Sequence, residues 1–311
     1  MRQVTIGMPV FNGERFIERA LSSLLRQSFQ DFAIVVSDNA STDDTAEIVE
    51  RISTDDERLS LVRQPGNLGA SANFIYLASI VETPLFMWAA ADDTWSQDYL
   101  HLCVRKLVSD ANLAFTSGDI VSCDFAGSTV RRVPQFLGLD HDDPAVRLRR
   151  FAAQREAVGK ANLVYSLFRS EIITGIAASA QETFSEWGGD MALVAAALER
   201  GRYLPAGESA VLYKQAGSQD DIETNRTLAT GHYHRIQYAG SFPPDRLASF
   251  SETMTRLLAH PRHKKVVART LKWRQFGTAR WQIAQRLRNL PTKILTRVQR
   301  RRVSADRVDR L

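Results

Sequence analysis

The feature that most constrains this chain is a unit that recurs along its first hundred residues: an apolar run, an abrupt polar turn, then a helical pattern. VTIGMPVF reads as a strand reaching Pro9. Asn12-Gly13 follow it, then a helix in which Phe16, Ile17, Ala20, Leu21, Leu24 and Leu25 recur at helical spacing. A second strand, Phe32 to Ser37, leads to a helix from about Asp43 to Ile52, with Ser41 or Thr42 placed to cap it. A third, Leu59 to Arg63, turns at Pro65-Gly66-Asn67 and enters a helix running to about Ser79. A fourth, Leu85 to Ala90, is ended by Asp92 and Asp93, with another helix near Ser96. Strands and helices alternating through short turns predict an α/β fold with a doubly wound, mostly parallel sheet flanked by helices.

In such sheets ligands bind outside the C-terminal ends of the strands. Here those ends carry Asn12 and Glu14, Asp38 and Asn39, Asn67, and Asp92, more polar groups on one rim than helix capping requires. The adjacent carboxylates Asp92 and Asp93 are costly to desolvate unless a cation or hydrogen bonds compensate them. One reading is a divalent cation, Mg²⁺ or Mn²⁺, held by oxygen ligands and shared with a phosphate. The other is a plain N-cap for the helix that follows.

The succession MPVFNGE, VVSDNASTDDT, NLGASAN and AAADDTW resembles the family 2 glycosyltransferases, over about Val4 to Ser218. The resemblance implies a GT-A nucleotide-sugar fold and transfer of a sugar from a nucleotide-diphosphate donor, most often a UDP-sugar, to an acceptor hydroxyl with inversion. It implies a nucleoside pocket lined by Pro9, Phe11 and Glu14 beside Asn12, and Asp38 at the base edge next to Asn39. Asn67 and Asn73 would lie near the base and ribose. Ala91, Asp92 and Asp93 would face the donor, with Asp92 as the metal-binding acid. The chain departs from the family's Asp-x-Asp pattern at Ala90, where an acid is common. A metal there would lean on the donor's own oxygens, and metal independence stays open.

The second half is expected to supply a catalytic base. SEWGGDMALVAAALERG reads as a turn entering a helix that stops at Gly201, and Asp190 opens it. By resemblance Asp190 is the general base, since a sugar hydroxyl is a poor nucleophile until a carboxylate removes its proton. Asp190 also suits a helix N-terminus without any catalysis. Glu186 is the reserve candidate. RYLPAGESAVLYKQ reads as a closing strand pair, after which Lys214 either reaches the donor phosphates as a point charge or is a solvated edge residue. Asp143 and Pro144 mark another helix start.

Charge divides the chain. From His260 onward there are 16 Lys and Arg against 2 acids, a net +14; the whole chain carries +5, so the preceding 259 residues carry −9. The expected organisation is therefore a catalytic domain over 1–218 and a basic, mostly helical extension over 219–311. Trp273, Trp281 and several leucines punctuate the extension, and Pro291 divides it. Residues 260–302 either lie on an anionic membrane surface or dock their apolar stripe on the domain. The acceptor would then be a saccharide or a lipid-linked saccharide.

Other classes are disfavoured. GxGxxG after the first strand is absent, as is the Gly-rich basic loop of a sugar-nucleotide pyrophosphorylase, and no nucleic-acid reading motif accompanies the basic tail. Cys103 and Cys123 are isolated, which fits a reducing cytoplasm. Met1-Arg2-Gln3 leads straight into the first strand, leaving no room for a signal peptide. The uncharged run of 14 residues from Leu68 to Val81 is too short to span a bilayer. The rival from another class is a non-catalytic nucleotide-sugar-binding scaffold, a degenerate transferase.

Overall fold

The computed structural model describes residues 2–123, 129–133, 136, 138–154, 159–177, 179–180, 183, 188–215 and 244–288. Strand β1 (Val4–Val10) is followed by α1 (Ile17–Leu25), β2 (Phe32–Asp38), α2 (Thr45–Asp55), β3 (Leu59–Arg63), α3 (Ala70–Ser79) and β4 (Leu85–Trp88). These match the predicted alternation closely, because each strand is apolar and each helix has one buried face. In α1 that face is Ile17, Ala20, Leu21 and Leu24. The predicted fourth strand is shorter, stopping at Trp88 before a turn that holds the acidic pair. The chain continues with β5 (Thr94–Trp95), α4 (Tyr99–Ser109), β6 (Leu113–Thr116), β7 (Asp119–Cys123), β8 (Thr129–Val133) and α5 (Pro144–Ala153). Asp143 caps α5 as expected, accepting the Ala145 N–H at 2.8 Å. A 3₁₀ segment (Lys160–Tyr165) leads into β9 (Leu167–Arg169), α6 (Ser170–Ala177), α7 (Gly189–Arg200), β10 (Arg202–Tyr203), β11 (Val211–Gln215), α8 (Pro244–Arg256) and α9 (Pro261–Arg288).

Among the described residues the strands form two sheets. The larger runs β10-β6-β9-β4-β1-β2-β3 and the smaller β5-β11-β7-β8. From β4 through β3 the larger sheet is parallel, with Gly7 opposite Trp88, Val10 opposite Asp38, and Asp38 opposite Arg63. Strand β9 then enters antiparallel between β4 and β6. The fold is thus α/β with a mostly parallel sheet, as expected. The predicted closing strand pair is not one: β10 lies in the larger sheet beside β6, whereas β11 lies in the smaller beside β5 and β7.

Aromatic contacts run through the core where the strand direction changes. Phe86 meets Trp88 at 4.8 Å between centroids, Trp88 meets Phe168 at 6.2 Å, Phe168 stacks on Phe115 at 4.9 Å, and Phe115 reaches Tyr203 at 5.0 Å. Each such pair adds roughly 0.5–1.5 kcal/mol beyond area burial. This rigid layer fixes β4, and with it the turn carrying Asp92 and Asp93.

Residues Met1–Leu271 form one compact unit that includes α8 and the first turns of α9. Phe250, Met254, Leu257, Leu258, Val267 and Leu271 are buried. In α9, Arg262, Lys265, Arg269 and Lys272 are exposed and Trp273 is 73% exposed. No helix among the described residues is long and apolar enough to cross a membrane. The expected boundary at 218/219, Glu186 and Pro291 lie outside the described residues.

Candidate active site

The rim begins where β1 ends. Asn12 adopts φ 53°, a left-handed turn conformation that Asn tolerates. Its N–H donates to Ser41 Oγ at 2.9 Å, and its Oδ1 accepts the Thr42 N–H at 2.9 Å. Gly13 N–H donates to Thr45 Oγ1 at 2.8 Å. Glu14 and the start of α2 are bound reciprocally: Glu14 N–H donates to Asp43 Oδ2, and Asp44 N–H to Glu14 Oε2, each at 3.1 Å. The first two strand-to-helix turns are therefore one hydrogen-bonded body, and Glu14 spends one carboxylate oxygen within it. Neither Ser41 nor Thr42 caps α2: its N-cap is Asp44, which makes no side-chain cap bond, and the preceding Asp43 accepts the Thr45 N–H at 3.1 Å.

Ser41 is engaged elsewhere, because its hydroxyl and N–H both donate to the Asp38 carboxylate. Asp38 and Asn39 are buried. Asn39 Nδ2 donates to Asn67 Oδ1 at 2.9 Å, and its Oδ1 accepts the Leu68 N–H at 2.8 Å, joining the second turn to the third. Asn73 sits deeper, 1% exposed, with Nδ2 on the Ser37 carbonyl at 2.9 Å and Oδ1 accepting from Ser37 Oγ at 2.5 Å. Its amide braces α3 against β2 from below the rim. Pro9 is half-buried, Asn67 is exposed, and Phe11 is exposed at 48%, a bare ring beside the turn network.

The acidic pair divides. Asp93 is fully buried, with Oδ2 on Lys214 Nζ at 2.6 Å and Oδ1 accepting the Gln215 N–H at 3.2 Å. Burial pushes the Asp93 carboxyl up to about 6, and the Asp92 charge adds to that, while Lys214 opposes it. Burial works against the Lys214 ammonium, but the charges of Asp93, Tyr165 and Asp92 and the hydrogen bond to Asp93 together outweigh it, so its pKa is raised. Lys214 also lies 4.3 Å over the Tyr165 ring. It is neither a solvated edge residue nor a free point charge; its ammonium is committed to Asp93. Sequence reasoning missed this partner, since the two residues are 121 positions apart.

Asp92, next to Ala91, is half-buried, and its carboxylate makes no hydrogen bond or ion pair with a described residue. Its backbone carbonyl accepts from Arg19 Nη2 at 3.2 Å, and Arg19 also reaches Gln215 Oε1 at 2.9 Å. No group of three His, Cys, Asp or Glu among the described residues is placed to hold a metal by itself. An uncommitted carboxylate on a rigid turn fits a hard divalent cation as a single protein ligand, with donor oxygens completing the shell.

Asp190 is the second residue of α7, half-buried, with its carboxyl raised by burial against the pull of the Met191 N–H and of Lys160. Tyr165 links it to the rim. The Tyr165 hydroxyl is raised by burial first, lowered by Lys214, and raised again by Asp93, Asp92 and Asp190. The charges of Asp92, Asp93 and Asp190, from separated parts of the sequence, are thus all felt at the one tyrosine whose ring lies under Lys214.

The fold is that of the GT-A transferases. The profile for "Glycosyl transferase family 2" matches residues 5–158, and that segment belongs to the family. An uncharacterised glycosyltransferase of Haemophilus influenzae is 27% identical over 141 residues, 45% of this chain and 56% of that protein. A teichoic acid poly(glycerol phosphate) polymerase of Staphylococcus epidermidis is 28% identical over 178 residues, 56% of this chain and 23% of that protein. The chain thus spans only part of the length of these curated relatives. Among solved structures, residues 1–349 of S. aureus TarS with UDP-GlcNAc superpose with TM-score 0.57 at 17% identity, covering 89% of this chain and 73% of that one. A mannosyltransferase of Pyrobaculum calidifontis with GDP-Man and Mn²⁺ gives 0.54 at 16% identity, covering 98% and 81%. At such identities these likenesses establish the fold.

Because the folded pKa of Asp93 lies above the ordinary carboxylate value, the native state holds that proton more tightly than the unfolded chain. This group's own contribution to stability therefore grows as pH falls from 7 through 6 toward 4. Lys214→Met removes the cation paired with Asp93, whose charge lowers its pKa. A carboxyl-carbon NMR titration is expected to place the Asp93 midpoint above that of the wild type; an unchanged or lower midpoint contradicts the assignment.

Proposed function

We propose that this protein transfers a sugar from a nucleotide-diphosphate donor to an acceptor hydroxyl with inversion, in the assembly of a cell-surface polysaccharide or glycolipid. The observation that supports this best is the division of the acidic pair at the strand-end rim: Asp93 is bound to Lys214, while the half-buried Asp92 carboxylate has no partner among the described residues. A UDP-sugar is the preferred donor, with the nucleoside beside Pro9, Phe11, Asp38 and the Asn39–Asn67 pair.

The donor's diphosphate would lie by Asp92. A Mn²⁺ or Mg²⁺ ion bound there with the donor would supply Lewis-acid neutralisation of the leaving diphosphate. Within the chain, Asp93 accepts from both Lys214 Nζ and the Gln215 N–H, which ties its turn to strand β11. Asp190 accepts the acceptor hydroxyl's proton as its oxygen bonds to the anomeric carbon. The bond from that carbon to the diphosphate oxygen breaks on the opposite face, and the nucleoside diphosphate leaves with the electron pair. A carboxyl raised by burial is a better proton acceptor at neutral pH than a solvated one.

The C-terminal helix supports a peripheral site of action on the cytoplasmic face of a membrane. Its exposed Arg262, Lys265, Arg269 and Lys272 accompany the bare Trp273, a combination suited to anionic headgroups. A lipid-linked saccharide would meet the enzyme there.

Asp190→Asn is expected to leave nucleotide binding within about twofold and to lower turnover by about 10²–10⁴, the usual range for a general base. Steady-state transfer rates beside calorimetric donor binding check this, and wild-type turnover in the variant refutes the base assignment. For the membrane, sedimentation with phosphatidylglycerol vesicles at low salt should carry the protein down and phosphatidylcholine vesicles should not. Equal binding to both lipids, or to neither, sinks that part.

A further inference from the structure

The two ends of α7 are both gripped by the C-terminal helices. At its N-terminus, Gly188 has φ 90°, a left-handed conformation that favours glycine. A Cβ there would sit 2.5 Å from Phe250 Cε2 and 2.8 Å from Cδ2, so the ring lies flush against this turn. Phe250 itself is 1% exposed, and Met254 on the same helix is fully buried. At the C-terminal end of α7, the Glu199 carboxylate accepts the N–H groups of Ala259 at 2.6 Å and His260 at 3.0 Å, and is joined by His263 Nδ1 at 2.7 Å. Burial alone would raise Glu199; these N–H groups hold it below the usual carboxylate range.

Gly188 and Glu199 are separated by eleven residues, about 16 Å along a helix. Anchors so far apart fix both the rotation of α7 about its axis and its position along it. Asp190 stands two residues beyond Gly188, and its backbone rides on the turn that Phe250 covers. Removing the ring would leave a void beside the one turn of α7 that a side chain other than glycine's cannot occupy, and relaxation into that void would re-aim the carboxylate.

We infer that the C-terminal helices are the positioning element for the catalytic carboxylate, with Phe250 against Gly188 as the contact that sets it. Residues 244–271 are thus part of the active-site architecture and not a detachable appendage. This rests on the reading of Asp190 as the base. Phe250 touches no reacting atom; it acts through Asp190.

The test uses the full chain with Phe250→Ala, Phe250→Leu, Asp190→Asn and, for general loss of stability, Leu107→Ala in the buried face of α4. Phe250→Ala is expected to lower kcat per folded molecule at least tenfold, with the donor KM and calorimetric nucleotide affinity within twofold. The acid limb of its kcat–pH profile should move to lower pH as water reaches Asp190, Phe250→Leu should recover most of the rate, and Leu107→Ala should leave kcat and the limb in place. Should Phe250→Ala misfold, Phe250→Leu carries the test through the same limb at reduced size. Rate losses that track only the folded fraction, or an unmoved acid limb, overturn the inference while leaving Asp190 as base. Full turnover by Asp190→Asn overturns both.

Discussion

The buried ion pair between Asp93 and Lys214 is the interaction on which the site depends. It joins the two sheets at the point where the donor is expected to lie, because Asp93 sits in the turn leaving β4 and Lys214 on β11. A pair so placed is costly to assemble and contributes little net stability, but losing one partner leaves an uncompensated buried charge, typically about 3–5 kcal/mol. Its value is geometric. Asp93 is saturated by Lys214 and the Gln215 N–H, whereas the half-buried Asp92 carboxylate has no partner among the described residues. Two adjacent identical side chains thus differ in burial and in partners.

The rest of the rim follows the same logic of one turn bracing the next. Asn12, Gly13 and Glu14 are tied to the head of α2, Asn39 ties the second turn to Asn67 and Leu68, and Asn73 fastens α3 under β2. Nearly every polar group the rim offers is thus spent on holding loops that must stay open to solvent. Such loops have few apolar contacts to fix them, so hydrogen bonds between neighbouring turns take over that task. Among the described residues, the Phe11 ring, the Asp92 carboxylate and the second oxygen of Glu14 remain uncommitted.

The strands β1 to β4 and their helices were legible because apolar runs and helical periodicity are local signals, and so was the Asp143–Pro144 helix start. The rim was legible too, since a polar residue at the end of a buried strand points to one edge of a parallel sheet. Strand β9 was not, being three residues long and antiparallel amid parallel neighbours, too short for any period to register. Nor was the parting of β10 from β11 into separate sheets, which depends on pairing with β6 and β7. The different fates of Asp92 and Asp93 were hidden for the same reason: nothing within a few residues says which carboxylate will meet a lysine from the far end of the fold. Motif resemblance singled out Asp92 and Asp190, but only the tertiary structure shows that both act on the ionisation of one buried tyrosine, Tyr165.

The central claim is that Asp92 is the open ligand of a donor-binding rim whose other acid is structurally committed. The most direct measurement is isothermal titration of UDP into wild-type protein and Asp92→Asn, each with Mn²⁺ and with the ion chelated. The account predicts that Mn²⁺ tightens UDP binding to the wild type at least tenfold, about 1.4 kcal/mol, and has no such effect in Asp92→Asn, whose metal-free affinity matches the wild type's. An equal gain from Mn²⁺ in both proteins would contradict it, as would a loss of metal-free binding confined to the variant.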